Sequence, residues 1–144
     1  MLKKIVVPLD GSPLAEAVLP QVTDLAHALA TEVLLLRVAI AHAFPAGNPI
    51  SLAEAEVRVV REAEAYLAAV AGRLAREGVT VKTTVRYGQA APEIIDHVAF
   101  EGADLVAMST HGRSGLSRLV MGSVAEEVVR KVGVPVLLFR AQEE

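Results

Sequence analysis

Hydrophobic positions along the chain keep two rhythms that alternate from one end to the other. Lys4–Leu9 is a short, β-branched run closed by the turn formers Asp10, Gly11 and Ser12, and it predicts a strand. Ser12 followed by Pro13 reads as an N-cap with proline at the first helical position. Leu14, Val18, Val22, Leu25 and Leu29 then recur at helical spacing, and Pro20, inside that span, predicts a kink. Glu32–Ala39 predicts a second strand, apolar on both faces at Val33–Leu36. Residues Ile40–Ile50 carry Pro45, Gly47, Asn48 and Pro49 and read as a loop. Ser51 with Glu54 forms a capping box for a long helix. Val60, Ala63, Leu67, Val70 and Leu74 form its buried stripe, and Gly78 ends it.

The second half repeats the alternation. From Val79 to Tyr87, apolar and polar residues trade places in period two, as in a strand near a sheet edge. Gly88 turns the chain, and Pro92 opens a short helix with Ile94, Ile95 and Val98 inward. Asp104–Ser109, with Leu105–Met108 wholly apolar, predicts a buried central strand, and Thr110–Met121 a glycine-containing loop. Ser123 and Glu126 form a second capping box, for a helix turning Val124, Val128, Val129 and Val132 inward. Val134–Phe139 is the last strand.

Five strands in strict alternation with four helices predict an α/β fold: a doubly wound parallel sheet with helices on both faces. In such a sheet a ligand lies at the carboxyl ends of the strands, where the strand order reverses. The loops after Leu9 and Met108 follow the most buried strands outside the last one, and they are the candidates.

Composition narrows the function classes. A chain of 144 residues, 53% of them hydrophobic, is long enough for one domain with a full core. Net charge is −3 and aromatics are 3%, which argues against a nucleic-acid partner. Without cysteine there is neither a disulfide nor a thiolate site, and the four histidines show no metal-ligand spacing. His111, and more firmly His27, His42 and His97, read as exposed histidines. The apolar run at the N-terminus stops at Asp10, and no stretch approaches the ~20 residues of a membrane span. A cytoplasmic protein with no membrane partner is the expectation.

The candidate chemistry lies in Ser109-Thr110-His111-Gly112, nine residues, then Gly122-Ser123 opening a helix. Unpaired N–H groups and a partial positive charge at a helix start favour phosphate, and a glycine before it permits close approach. Gly112 and Gly115 lend the loop flexibility; Arg113 and Arg118 lend it positive charge. Taken alone, the same residues also fit an ordinary helix cap on a surface loop. No G-K-[ST] occurs, so this is not a Walker loop.

The run from Met108 to Glu126 resembles the nucleotide loop of the universal stress protein family, whose ATP-binding members carry G-x2-G-x9-G-[ST]. Gly112, Gly122 and Ser123 match, whereas Ser109 stands at the first glycine. Ile5–Ser12 and Pro135–Leu138 are also similar to the family's first and last strands, so the likeness spans essentially the whole chain. The resemblance implies strand order 3-2-1-4-5 with ATP, accompanied by Mg²⁺, between the first and fourth strands. It implies Pro8, Leu9 and Asp10 beside the nucleotide and Val38 at the adenine. Met108 and Ser109 would lie on the ribose and phosphate side, with Gly112, Gly122, Ser123 and Val124 around the phosphates.

Two of these positions carry alternatives. Serine in place of glycine weakens binding if the site needs positive φ or backbone approach, and is harmless if it needs only a small residue. Asp10 serves either sugar hydroxyls and Mg²⁺ or the turn at Ser12-Pro13. No general base is evident, so ATP is expected as a regulatory ligand, at most slowly hydrolysed. The acidic pair and lysine of a phosphoacceptor receiver domain are missing; a nucleotide-free dimeric scaffold is the remaining alternative. The last strand, apolar on both faces yet at the sheet's edge, predicts a homodimer through Val134–Phe139, as the family resemblance also implies.

Overall fold

The computed structural model describes residues 2–40, 52–112 and 122–142. In chain order the elements are β1 (Lys4–Pro8), α1 (Pro13–Glu16), α2 (Leu19–Leu29), β2 (Glu32–Ala39), α3 (Leu52–Arg76), β3 (Val81–Tyr87), α4 (Ala90–Glu101), β4 (Leu105–Gly112), α5 (Ser123–Lys131) and β5 (Val136–Gln142). The five strands pair in parallel in the order β3-β2-β1-β4-β5. This is the predicted doubly wound sheet.

Strand alternation sorts the core into two layers. Ile5, Val7, Val33, Leu35, Leu105 and Ala107 pack with Val18 and Val22 near α2 and with Leu67, Val70 and Leu74 of α3. Val6, Leu34, Leu36, Val106 and Met108 face the other way, onto Ala91, Ile94 and Val98 of α4 and Ala125 and Val128 of α5. Each fully buried Leu, Ile or Val contributes about 1.5–3 kcal/mol, so the two layers are what chiefly hold α2, α3, α4 and α5 to the sheet.

Several boundaries differ from the sequence reading, each for a local reason. The predicted kinked helix is two helices. Pro20 has no N–H for the Glu16 carbonyl, so the chain breaks after α1 and Pro20 falls in the first turn of α2. Gln89 caps α4, placing Pro92 in its first turn rather than at its start. Val79 donates its N–H to Leu74 O at the end of α3, which delays β3 to Val81. β4 runs on to Gly112, because Thr110, His111 and Gly112 pair with Arg140, Ala141 and Gln142; Thr110–Gly112 is strand, not loop. β5 is accordingly Val136–Gln142 rather than Val134–Phe139. Ser123 does not cap α5: Gly122 is the N-cap, and it brings no capping side chain. Ser51, His42 and the loop expected at 41–50 lie outside the described residues.

β1 and β4 meet only at Ile5↔Leu105 and Val6↔Val106, whereas β1 follows β2 through Pro8↔Leu36. Asp104 donates its N–H to Lys4 O, and Leu9 donates its N–H to Leu36 O. Even-numbered residues of β1 therefore face β4, and odd-numbered ones face β2. The next even residue after Val6 is Pro8, which has no N–H to offer, and the two strands part there. At the opposite end Asp104 holds them together, its carboxylate accepting from the N–H groups of Lys3 and Lys4 at 2.8 and 3.0 Å. Those two bonds hold its carboxyl below the usual range.

Of the histidines expected to be exposed, His27 is so, with a backbone partner, whereas His97 is buried. His27 on α2 lies 2.7 Å from Glu77 O, its Nε2 facing that carbonyl. His97 is 2% exposed on α4, and Arg86 donates from Nε to its Nδ1. Burial, followed by the Arg86 charge, pushes the imidazole pKa down; Lys82 adds to this and Glu101 opposes it. Above the unfolded value near pH 6.5 both states are neutral. Below it the unfolded chain takes up the proton first, so stability falls as pH drops from about 6.5 toward the lowered folded value. His97→Gln should flatten the decline in unfolding free energy between about pH 6.5 and 5, measured by urea denaturation. Parallel wild-type and variant curves would contradict this.

Candidate ligand cleft at the parting of β1 and β4

A cleft of about 330 Å³ opens where β1 and β4 separate. This is within the size range of small-molecule sites, about 300–1,000 Å³. Its floor is apolar: Leu36 and Val38 of β2, Met108 of β4, and Ala90 and Ile94 of α4. One lip is the β1–α1 turn, with Pro8, Leu9, Asp10 and Ser12, followed by Leu14 and Ala15 of α1. The other is the start of α5, with Gly122, Ser123, Val124 and Ala125.

The first lip is held by hydrogen bonds between neighbours. The Ser12 N–H and hydroxyl both donate to Asp10 Oδ1, and Ser12 Oγ in turn accepts the Ala15 N–H at 3.1 Å, capping α1. Gly11, between them, has φ +90°, and a Cβ there would lie 2.6 Å from Arg37 Nη1. The conformation requires glycine, and a Cβ would in addition displace the Arg37 guanidinium. The Arg37 guanidinium also stacks on the Tyr66 ring, 5.0 Å from its centroid. Tyr66 Oη donates to Glu16 at 2.7 Å, and Arg73 Nη2 donates to the same carboxylate at 2.6 Å. Burial raises the Glu16 pKa, but these two donors outweigh it and the net shift is downward. The Tyr66 phenol moves up, through burial and then through Glu16. α1 is thus fastened to α3, and the lip with it.

The second lip is built differently. Gly122 occupies the N-cap of α5 and so brings no capping side chain, and a Cβ placed on it meets nothing within 4 Å. The first N–H groups of α5 therefore have no N-cap side chain to accept from them, and they carry the helix's partial positive charge.

Of the residues picked out in the sequence, Pro8, Leu9, Asp10, Val38, Met108, Ser109, Gly122, Ser123 and Val124 line this one cleft. Gly112 ends β4, paired with Gln142. Arg113 and Gly115 lie outside the described residues. Asp10 performs the turn-capping role. Ser109 sits in an extended strand, and Ala30 is the one non-glycine residue with positive φ among the described residues. Ser109 therefore strains nothing. Its Oγ donates to Ala15 O at 3.1 Å, tying β4 to α1.

Leu36, Ile40 and Thr110 were missed as lining residues, although strand alternation places them beside Val38 and Met108. Ala90 and Ile94 carry no comparable local signal. Among the described residues no group of three or more His, Cys, Asp and Glu could hold a metal ion. No helix there is long and apolar enough to cross a membrane.

The family model of the universal stress proteins matches residues 1–140. The chain belongs to the universal stress protein family. Universal stress protein MJ0531 of Methanocaldococcus jannaschii is 31% identical over 143 residues, covering 97% of this chain and 83% of that protein. The solved structure of protein MJ0577, from the same organism, superposes with a TM-score of 0.81 at 30% identity, covering 100% of this chain and 99% of the other. An Archaeoglobus fulgidus universal stress protein solved in complex with dAMP shares the fold, with a TM-score of 0.66 at 19% identity and coverage of 97% and 98%.

The Ser109 hydroxyl bond contributes about 0.5–1.5 kcal/mol. Ser109→Gly, which removes it and loosens the strand, should lower unfolding free energy by about 1 kcal/mol or more in chemical denaturation; an unchanged midpoint would contradict the tie to α1.

Proposed function

We propose that this universal stress protein binds ATP with Mg²⁺ in the cleft between β1 and β4, as a regulatory ligand. The observation that carries this reading is the uncapped start of α5 across from an apolar floor. One end suits phosphate, while Leu36, Val38, Met108 and Ile94 offer a purine an apolar bed. The G-x2-G-x9-G-[ST] likeness at Gly112, Gly122 and Ser123 supports it, as does the dAMP held by the A. fulgidus protein. Asp10 is the one carboxylate among the described lining residues, exposed at the lip, and it fits a ribose hydroxyl or the Mg²⁺ that accompanies the phosphates.

Asp10 is also the only titratable lining residue among those described, and its Oδ1 is already bonded to Ser12. Among the described lining residues no general base stands ready for a water, so ATP in this reading acts through occupancy rather than turnover. Mg²⁺·ATP at 100 times its Kd should stabilise the fold by about 2.7 kcal/mol, seen as a rise in Tm. Gly122→Val should leave the apo Tm nearly unchanged, because its side chain projects into open space, yet abolish the ATP-induced rise. A wild-type Tm indifferent to millimolar ATP would overturn the reading.

The protein works, in this reading, as a cytoplasmic homodimer through β5. Val136, Leu137, Leu138 and Phe139 are each only half-buried, on both faces of a strand whose outer edge has no described neighbour. A second β5 across a two-fold axis would cover them and pair the edge. Sedimentation should show a dimer at micromolar concentration, and Val136→Lys with Leu138→Lys should show a folded monomer by circular dichroism; a monomeric wild type would rule the dimer out.

A further inference from the structure

We propose that the Thr110 hydroxyl is a ligand contact, donating a hydrogen bond to a phosphate oxygen of the bound nucleotide; this rests on the nucleotide reading above. Thr110 lies on β4 and is 2% exposed, yet it borders the cleft. Among the described residues, two buried side-chain polar atoms have no hydrogen-bond partner: His97 Nε2 and Thr110 Oγ1. His97 is not a lining residue, whereas Thr110 is.

The two successive hydroxyls of β4 behave differently. Ser109 faces α1 and finds Ala15 O, while Thr110, one residue on, faces the α4 and α5 side with Met108 and finds nothing. A buried hydroxyl without a partner has lost the hydrogen bond it made in water. Valine has the same branched shape, suits a strand as well and carries no such penalty. The position is therefore costly in the empty protein and becomes favourable when something in the cleft accepts from it.

The neighbours narrow what accepts. The first turn of α5, which lines the same cleft, offers N–H donors that no N-cap side chain satisfies, at the positive end of the helix dipole. A donor hydroxyl and a set of donor amides lining one cleft call for an acceptor-only, anionic group, which a phosphate is and an adenine or a ribose is not. Threonine's hydroxyl and methyl exchange places by one χ1 step, so the contact forms without backbone movement.

The test compares wild type with Thr110→Val and Thr110→Ser, titrating Mg²⁺·ATP and, separately, adenosine by calorimetry, with apo Tm measured alongside. Thr110→Val should bind ATP about tenfold or more weakly, bind adenosine as wild type does, and melt about 2–4 °C higher when empty. Thr110→Ser should retain ATP affinity. Binding of ATP by wild type and Thr110→Val with equal affinity would overturn the contact alone, and equal losses for ATP and adenosine would overturn its assignment to phosphate. A wild type that binds neither compound would overturn the nucleotide reading, and this contact with it.

Discussion

A missing N–H at Pro8 shapes the working end of this protein. β1 is the central strand, bonded to β2 along its length, but its hydrogen bonding to β4 ends once the residue that should donate is proline. Beyond Val6 each strand keeps only its outer neighbour: β1 stays with β2, and β4 continues to Gly112 with β5. The strand order reverses at this same place, so the following segments leave toward opposite sides, β1 into α1 and β4 toward α5. A gap between two central strands would ordinarily expose backbone. Here it is flanked by the starts of α1 and α5, and a helix start brings backbone donors of its own.

The two lips of that gap differ in kind. The α1 lip is satisfied within the protein: Ser12 caps it, Asp10 holds Ser12, and Glu16 is clamped by Tyr66 and Arg73. Ser109 closes the same side from the sheet. Across from it, α5 begins at a glycine, which brings no capping side chain, and Thr110, lining the same cleft, has no partner among the described residues. A rigid, self-satisfied wall facing an unsatisfied one is the arrangement expected of a pre-organised site, in which the ligand supplies what one wall lacks.

Strand interiors and sheet class were legible because burial on both faces leaves runs such as Val33–Leu36 and Leu105–Met108, and alternation marks the edge strand β3. The place of the cleft was legible too, since the loops after Leu9 and Met108 and the helix start at Gly122 lie at the carboxyl ends of the strands, whereas Val38 and Met108 as lining residues followed from the family resemblance alone. Element ends were less so. Thr110–Gly112 looks like loop and becomes strand only because β5 runs alongside it, a contact no local pattern encodes. Ser123 carries the signature of a cap, yet Gly122 takes that role. His97 is polar by type, and its burial follows from where α4 crosses the sheet and from Arg86 reaching across from β3. Whether serine could replace the first glycine was undecidable from residue type; the extended backbone at Ser109 shows that no positive φ is needed there.

The central claim is that a nucleotide fills the gap between β1 and β4 with its phosphates at α5, and amide chemical-shift mapping of isotope-labelled protein titrated with Mg²⁺·ATP tests it most directly. The account predicts the largest shifts at Leu9–Ser12, Val38–Ile40, Ser109–Thr110 and Gly122–Ala125, with α2 and the carboxyl half of α3 silent. Shifts centred instead on Tyr87, Val57 and Phe100, or none at saturating nucleotide, would contradict it.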